Sequence, residues 1–244
     1  MSTGQPSFEF AHESEPNETL IAGFSNFGLA GLTAADFLVD QLGLEQTGHV
    51  AVEELPAITP FENGVARHHT RLFGGEDTDV TVLVGELFIP VSAAGVFCTA
   101  VGEWMDEGGV EEVAVLSGVP IAHGPDDHRA FYIATEDYRD HRLADTDVAP
   151  MPQGFLDGVN AELVRRAINS PLEAGVLTTP VHPQAPDVEA SIRLVDAVND
   201  VYGLGVDTAP LEQFAAEIQQ HYTNLAERLE AMNEEERPED RMFM

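Results

Sequence analysis

The side chains best suited to acid–base chemistry are one glutamate, one serine and one asparagine that follow apolar segments. Glu86 comes one glycine after residues 80–84, and Ser25 and Asn26 come directly after residues 20–24. Open α/β sheets bind ligands at the carboxyl ends of their strands, where a carboxylate can act as a general acid or base. We therefore predict a candidate catalytic site with Glu86 as its acid–base group. The alternative is that Glu86 is a solvated carboxylate at the end of a strand.

The turn that carries Ser25 and Asn26 is rich in glycine, with Gly23, Gly28 and Gly31 between a predicted strand and a predicted helix. Backbone N–H groups in such a turn can bind an anion. The spacing matches neither the dinucleotide-binding fingerprint nor the Walker pattern, and no lysine follows. We favour the alternative, a tight turn that needs small residues for packing.

The histidines do not have the spacing of a metal-binding motif. His123, His128, His141 and His182 lack the H-x-x-x-H pattern, and Cys98 is the only cysteine. Zinc sites usually draw their ligands from such short-range pairs, so we predict no metal site and no cofactor. The single cysteine also excludes an internal disulfide, and its apolar surroundings predict a buried, unreactive thiol.

Alternating strands and helices are predicted to position these side chains. Predicted strands cover residues 20–24, 49–52, 66–73, 80–84, 112–118, 131–135 and 175–179, and predicted helices cover residues 29–42, 92–106, 155–167 and 187–202. This alternation favours an α/β fold with a mainly parallel mixed sheet and helices on both faces. We predict four segments: an irregular N-terminal segment with an edge strand at 8–10 (1–18), an α/β domain (19–210), a C-terminal helix (211–232) and an acidic flexible tail (233–244).

The charge balance excludes whole classes of partner. The chain has 43 acidic and 11 basic residues, all of the latter arginine, and a formal net charge of -32. Such a charge repels nucleic acid and anionic lipid. A hydrophobic fraction of 43% argues against disorder. We therefore expect a folded protein adapted to molar salt, where the Debye length is ~3 Å, in the cytoplasm of a halophile.

Localisation follows from what the sequence lacks. No apolar run approaches the ~20 residues that span a bilayer. The first twenty residues are polar and acidic, without the apolar core of a secretory leader. We expect a cytoplasmic protein with no membrane partner.

Five apolar residues of the C-terminal region follow a heptad pattern: Leu211, Ile218, Tyr222, Leu225 and Leu229. This pattern predicts a helix with an apolar seam. The seam can pack on its own subunit or pair with a neighbouring copy. We favour packing on its own subunit, because so few heptads are marginal for an independent coiled coil.

The last residues combine an acidic spacer with an apolar tip. Residues 233–241 are mostly charged, and Pro238 stops a helix. Met242, Phe243 and Met244 follow. An extended chain of this length reaches roughly 40 Å, so the sequence predicts a tip that can find a distant pocket.

The order of these segments along the chain resembles the proteasome assembly chaperone family in its archaeal, haloarchaeal-type form. The similar parts are residues 20–28, the strand that ends at Gly85 and Glu86, residues 116–118 and the helices from Asp187 onward. The resemblance covers about residues 18–230. It implies an α/β fold similar to nucleoside phosphorylases, used as a scaffold and not for catalysis.

The resemblance also implies a function and a docking mode. Members form oligomers that help to assemble or cap the proteasome core, and they insert a C-terminal hydrophobic–tyrosine–X tail between α-ring subunits. The matching residues here are Met242, Phe243 and Met244, with phenylalanine in place of tyrosine. The lost hydroxyl removes any hydrogen bond it makes, at a cost of roughly 0.5–1.5 kcal/mol.

The resemblance therefore predicts a non-enzymatic, homo-oligomeric chaperone or adaptor whose partners are proteasome core α subunits. The alternative is a small-molecule, nucleoside-like enzyme that uses a pocket near Ser25, Asn26 and Glu86.

Overall fold

A nine-stranded sheet forms the centre of this computed structural model, which describes residues 6–75, 78–124, 127–182, 186–213 and 215. Within these residues the strands are β1 (Ser7–His12), β2 (Thr19–Phe24), β3 (Glu45–Glu53), β4 (Phe61–Glu62), β5 (Val65–Ala66), β6 (Thr70–Gly74), β7 (Val80–Gly85), β8 (Glu112–Val119), β9 (Phe131–Ala134), β10 (Ala149–Pro150) and β11 (Glu173–Pro180). The helices are α1 (Ala30–Leu42), α2 (Val91–Gly108), α3 (Glu136–Arg142), α4 (Gly158–Ile168) and α5 (Val188–Tyr202).

The strands lie in the order β1-β3-β6-β7-β2-β8-β11-β9-β10, and β4 and β5 form a separate hairpin. The four central strands β7, β2, β8 and β11 are parallel. On one side β6, β3 and β1 continue the sheet with antiparallel pairing. On the other side β9 is antiparallel to β11, and β10 is parallel to β9. The predicted mixed α/β sheet is confirmed, and its parallel part is concentrated at the centre.

Helices cover both faces of the sheet, as predicted. Helices α1 and α5 pack together on one face, where Leu38 and Leu194 are fully buried. Helices α2 and α4 pack together on the other face, around Phe97 and Leu163. The central strands β2 and β7 are buried at every position. Strands covered on both faces read as continuous apolar runs, which is why the sequence revealed them.

Helix α1 contacts the backbone of the sheet directly. A Cβ atom on Gly31 would lie 1.9 Å from the carbonyl oxygen of Leu116, in β8. A Cβ atom on Gly23 would lie 2.2 Å from the carbonyl oxygen of Gly31. Real Cβ atoms do not come so close to a neighbouring oxygen, so both glycines are required where helix and strands meet.

Cys98 lies on α2 and is buried, as its apolar surroundings predicted. Its Sγ atom is 3.6 Å from the carbonyl oxygen of Val159. Burial raises the pKa of the thiol to about 12. Because the thiolate is the reactive form, this cysteine is a packing residue.

The edge strand expected at 8–10 is present as β1, which pairs with β3 over its whole length. Two local features differ from the sequence expectations. Helix α4 begins at Gly158, so Phe155 lies before the helix with its side chain fully exposed. Helix α3 was not expected, because Tyr138 is its only buried residue and gives no apolar periodicity.

The chain divides into two compact units, residues 1–207 and 208–244. In the second unit residues 209–213 and 215 are helical, which includes Leu211. The other seam residues, Ile218, Tyr222, Leu225 and Leu229, lie outside the described residues, as does the tip Met242, Phe243 and Met244. In the described part of the chain no helix is both long enough and apolar enough to cross a membrane.

Candidate functional site

Glu86 lies between two arginines that come from β6 and from the turn before it. Its Oε1 accepts a hydrogen bond from Nη2 of Arg67 at 3.2 Å, and its Oε2 accepts one from Nη1 of the same residue. Nη2 of Arg71 lies 3.7 Å from the same Oε2 and 3.3 Å from Oδ1 of Asp36, on α1. Both carboxylate oxygens of Glu86 are therefore engaged by guanidinium groups.

The charges of this network stabilise one another. The hydrogen bond that Arg67 donates to Glu86 is the main cause that raises the pKa of Arg67. Burial raises the pKa of Asp36, and the neighbouring Arg71 partly opposes this effect. A carboxylate that receives a two-pronged guanidinium contact is held in a fixed orientation. Arg71 on β6, Glu86 directly after β7 and Asp36 on α1 are linked in this way, so the arrangement is a structural ion-pair network.

Replacing Glu86 by glutamine is expected to lower the free energy of unfolding by about 1–3 kcal/mol, because Arg67 loses its two-pronged contact with a carboxylate and Arg71 keeps only Asp36, among the described residues, as a charged partner in a half-buried site. Urea denaturation at a fixed molar salt concentration measures this change. The matched control is Glu62→Gln, since Glu62 is exposed and lies 3.8 Å from Nε of Arg67. We expect the control to change stability by less than about 0.5 kcal/mol. Equal stability of both variants would contradict the structural role.

Ser25 and Asn26 serve the turn that connects β2 to α1. The Oδ1 atom of Asn26 accepts a hydrogen bond from the backbone N–H of Phe27 at 2.7 Å, and the backbone N–H of Ser25 donates to the carbonyl of Gly85 at 2.8 Å. Gly28 has a φ of 65° and accepts a hydrogen bond from the N–H of Asp187 through its carbonyl. The turn is packed against neighbouring segments, in agreement with the packing interpretation.

A cavity of 470 Å³ opens at the carboxyl ends of β8 and β11. Its polar residues include Ser117, Thr178 and Asn160, and the Nδ2 atom of Asn160 donates a hydrogen bond to Oγ of Ser117 at 2.9 Å. The exposed ring of Phe155 lies at its lining. The cavity lies at the carboxyl ends of the strands, where the sequence predicted a ligand site. Ser25, Asn26 and Glu86, however, are not among the described residues that line it. The structure does not bring the three predicted residues together around one space.

A second cavity, of 700 Å³, lies at the opposite, amino-terminal ends of β2 and β7. Thr19 and Val80 start these strands and line it, together with Arg142 and Tyr202. Open α/β sheets bind ligands at the carboxyl ends of their strands. The smaller cavity is therefore the better placed of the two for a ligand.

Comparison with known proteins identifies a family from the sequence and a shared fold from the structure. The sequence profile of the PAC2 family matches residues 20–226. No curated protein matches the sequence. The fold is similar to that of Pyrococcus furiosus PbaA, described as an archaeal homolog of proteasome-assembly chaperone, with a TM-score of 0.85, 22% identity, and coverage of 94% of this chain and 95% of that chain.

Two further solved structures are similar at lower identity. Pyrococcus furiosus PbaB, described as an archaeal proteasome activator, matches with a TM-score of 0.73, 16% identity, and coverage of 90% of this chain and 99% of that chain. A proteasome-assembly chaperone homologue from Mycobacterium tuberculosis matches with a TM-score of 0.60, 17% identity, and coverage of 91% and 97%. The likeness in each case is one of fold.

Proposed function

Because this chain belongs to the PAC2 family, we propose that it is a non-enzymatic proteasome assembly chaperone or adaptor. The observation that carries the proposal is the family match over residues 20–226, together with a fold shared with PbaA over nearly the whole of both chains. The proposed partners are the α subunits of the proteasome core. The proposed location is the cytoplasm.

The arrangement of polar side chains supports a scaffold. Glu86, the strongest acid–base candidate in the sequence, is bound by Arg67 and Arg71, and Asn26 caps the turn after β2. The alternative of a nucleoside-like enzyme needs these side chains to face a common substrate, which their positions do not favour. Family membership agrees with the prediction that the chain is not an enzyme.

The proposed contact with the α subunits is the C-terminal tip of Met242, Phe243 and Met244. An aromatic ring between two apolar side chains can fill a pocket, and mostly charged residues precede it in the sequence. Ordering such a segment costs free energy, so a single tip binds weakly. We propose a homo-oligomer, because several tips presented together increase the avidity for a ring of identical pockets.

Replacing Phe243 by alanine is expected to abolish co-purification with proteasome α-rings, since the alanine side chain leaves the pocket empty. Replacing Phe243 by tyrosine is expected to strengthen binding by roughly 2- to 10-fold, which corresponds to one added hydrogen bond of about 0.5–1.5 kcal/mol. The measurement is a pull-down with purified α-rings in molar potassium chloride, followed by titration.

The matched control is Phe155→Ala, which removes an equally large and fully exposed aromatic ring from the α/β unit. We expect this variant to bind α-rings as the wild type does. If Phe243→Ala binds equally well, the docking mode is wrong. If the wild-type protein does not bind α-rings at all, the chaperone function itself is wrong.

A further inference from the structure

Two histidines of the connection between β8 and β9 and a third that follows β11 form one cluster on the surface. The ring centroid of His123 lies 5.0 Å from that of His128 and 5.1 Å from that of His182. The rings of His128 and His182 are 6.3 Å apart and perpendicular. His128 and His182 are exposed, and His123 is half-buried. The cluster is open to solvent and to ions.

The topology of the sheet explains why these residues meet. β8 and β11 are parallel neighbours whose last residues, Val119 and Pro180, are paired, so the segments that carry His123 and His182 leave the sheet at the same edge. β9 is antiparallel to β11, and its first residue, Phe131, is paired with Thr178. The segment that carries His128 therefore enters the sheet at that edge.

Hydrogen bonds orient two of the three rings. Nδ1 of His123 lies 2.7 Å from the carbonyl oxygen of Ile121, and Nδ1 of His182 lies 2.9 Å from Oδ2 of Asp187. A carbonyl or carboxylate oxygen only accepts, so each Nδ1 donates its proton. The lone pair of the neutral imidazole is then on Nε2, where it can bind a metal. Metal-ligating histidines typically have such a partner on the other ring nitrogen.

Asp187 is itself held in place. Its Oδ2 also accepts a hydrogen bond from the backbone N–H of His182, and its Oδ1 accepts one from the N–H of Ala190 at the start of α5, both at 2.9 Å. These hydrogen bonds lower the pKa of Asp187 against the effect of burial. The carboxylate that orients His182 is therefore part of a fixed helix cap.

Two of the three ring separations match those expected around a common ion. A zinc–nitrogen bond of ~2.1 Å puts each ring centroid ~3.2 Å from the metal, and a tetrahedral angle then separates two centroids by ~5.2 Å. Two of the observed separations, 5.0 and 5.1 Å, have this value. The third, between His128 and His182, is about 1 Å wider, and the ring nitrogens of the three histidines do not all lie within 4.8 Å of one another, so binding of one ion requires the exposed His128 side chain to rotate.

We propose that His123, His128 and His182 form a binding site for a divalent transition-metal ion of the zinc type. Three imidazoles leave a fourth position for water or for a ligand of a partner, as in an open zinc site. The proposal does not depend on the chaperone function. Short-range spacing alone does not indicate this site, because its ligands come from two separate loops, the connection between β8 and β9 and the segment after β11.

A second group of possible ligands, Glu112, His141 and Glu173, lies at the amino-terminal ends of β8 and β11. Oε2 of Glu112 accepts a hydrogen bond from Nε of Arg142 at 2.7 Å. A guanidinium group thus engages one carboxylate oxygen of Glu112, and its charge repels a metal ion; the other oxygen, Oε1, is buried and has no hydrogen-bond partner among the described residues. Among the described residues no guanidinium group is hydrogen-bonded to the rings of the histidine cluster, and variants of the two groups distinguish which of them holds the ion.

The test uses Co²⁺ as a spectroscopic probe of the full-length protein, with Zn²⁺ as competitor and excess Mg²⁺ to saturate the surface carboxylates. We expect one Co²⁺ per chain, with the visible absorption of nitrogen ligation, and displacement by Zn²⁺. Each of His123→Gln, His128→Gln and His182→Gln should weaken binding by at least 10-fold. Asp187→Asn retains a helix cap and should weaken binding by roughly 10- to 100-fold through the loss of its contact with His182.

The matched control is His141→Gln, which should leave the absorption and the affinity unchanged. Circular dichroism of every variant verifies that it is folded. Absorption that is unchanged in the variant with all three histidines replaced would overturn the proposal. Absorption that is lost in His141→Gln would also overturn it and assign the metal to the group with Glu112 and Glu173.

Discussion

Replacing Gly31 by alanine is expected to destabilise the protein by about 3 kcal/mol or more, at the upper end of the range for overpacked cores. The new methyl group would lie 1.9 Å from the carbonyl oxygen of Leu116 and 2.5 Å from its carbon. The helix cannot move away at low cost, because Ala34 and Leu38 on α1 are fully buried against the same sheet. Backbone atoms of a central strand cannot yield as a flexible side chain would.

Urea denaturation in molar salt measures this effect, and Gly95→Ala is its control. Gly95 is on an exposed position of α2, and a Cβ atom there would have no neighbour within 4 Å. In a helix, alanine is favoured over glycine by about 0.5–1 kcal/mol, so the control should be more stable than the wild type. Denaturation midpoints that coincide for Gly31→Ala and the wild type would show that α1 does not approach β8 so closely.

Lowering the salt concentration is expected to unfold the protein. The net charge is -32, so most carboxylates have no basic partner even if every arginine is paired. Between ~1 M and ~0.1 M salt the Debye length grows from ~3 to ~10 Å, which extends the repulsion between carboxylates across the surface. The folded state is then destabilised relative to an expanded chain in which the charges are further apart.

Thermal melts over a series of potassium chloride concentrations test this expectation. The control replaces the salt with sucrose, a neutral solute that strengthens apolar burial without screening charges. Recovery of the melting temperature by salt, with a smaller recovery by sucrose, is the expected result. A melting temperature that stays constant from dilute buffer to molar salt would refute the adaptation to salt.

The elements that the sequence predicted best are those whose own residues determine them. β2 and β7 are buried at every position and read as apolar runs, and α1 ends at a glycine with a φ of 63°. α3 was missed because a single buried tyrosine leaves no periodic pattern. Local sequence patterns are therefore sufficient to predict the strands and helices of the central layers. They are insufficient to predict elements that pack through few residues.

The candidate sites depended on contacts that no local pattern encodes. The position of Glu86 at the end of a strand was predictable, but its partners Arg67 and Arg71 come from another strand and the turn before it. The histidine cluster depends on the antiparallel direction of β9, which brings the start of that strand beside the ends of β8 and β11. The sequence shows which residues are available, whereas the strand order decides which of them meet.

The two edges of the nine-stranded sheet have unequal capacity to accept another strand. One edge is β10, which has only two residues, and Pro150 has no N–H to donate. The other edge is β1, six residues long, with Glu9 facing solvent. Among the described residues, growth of the sheet by a second copy can thus occur at β1 alone. If two copies pair through β1, neither copy retains an unpaired β1 edge. Association of this kind therefore gives a closed dimer and not a filament.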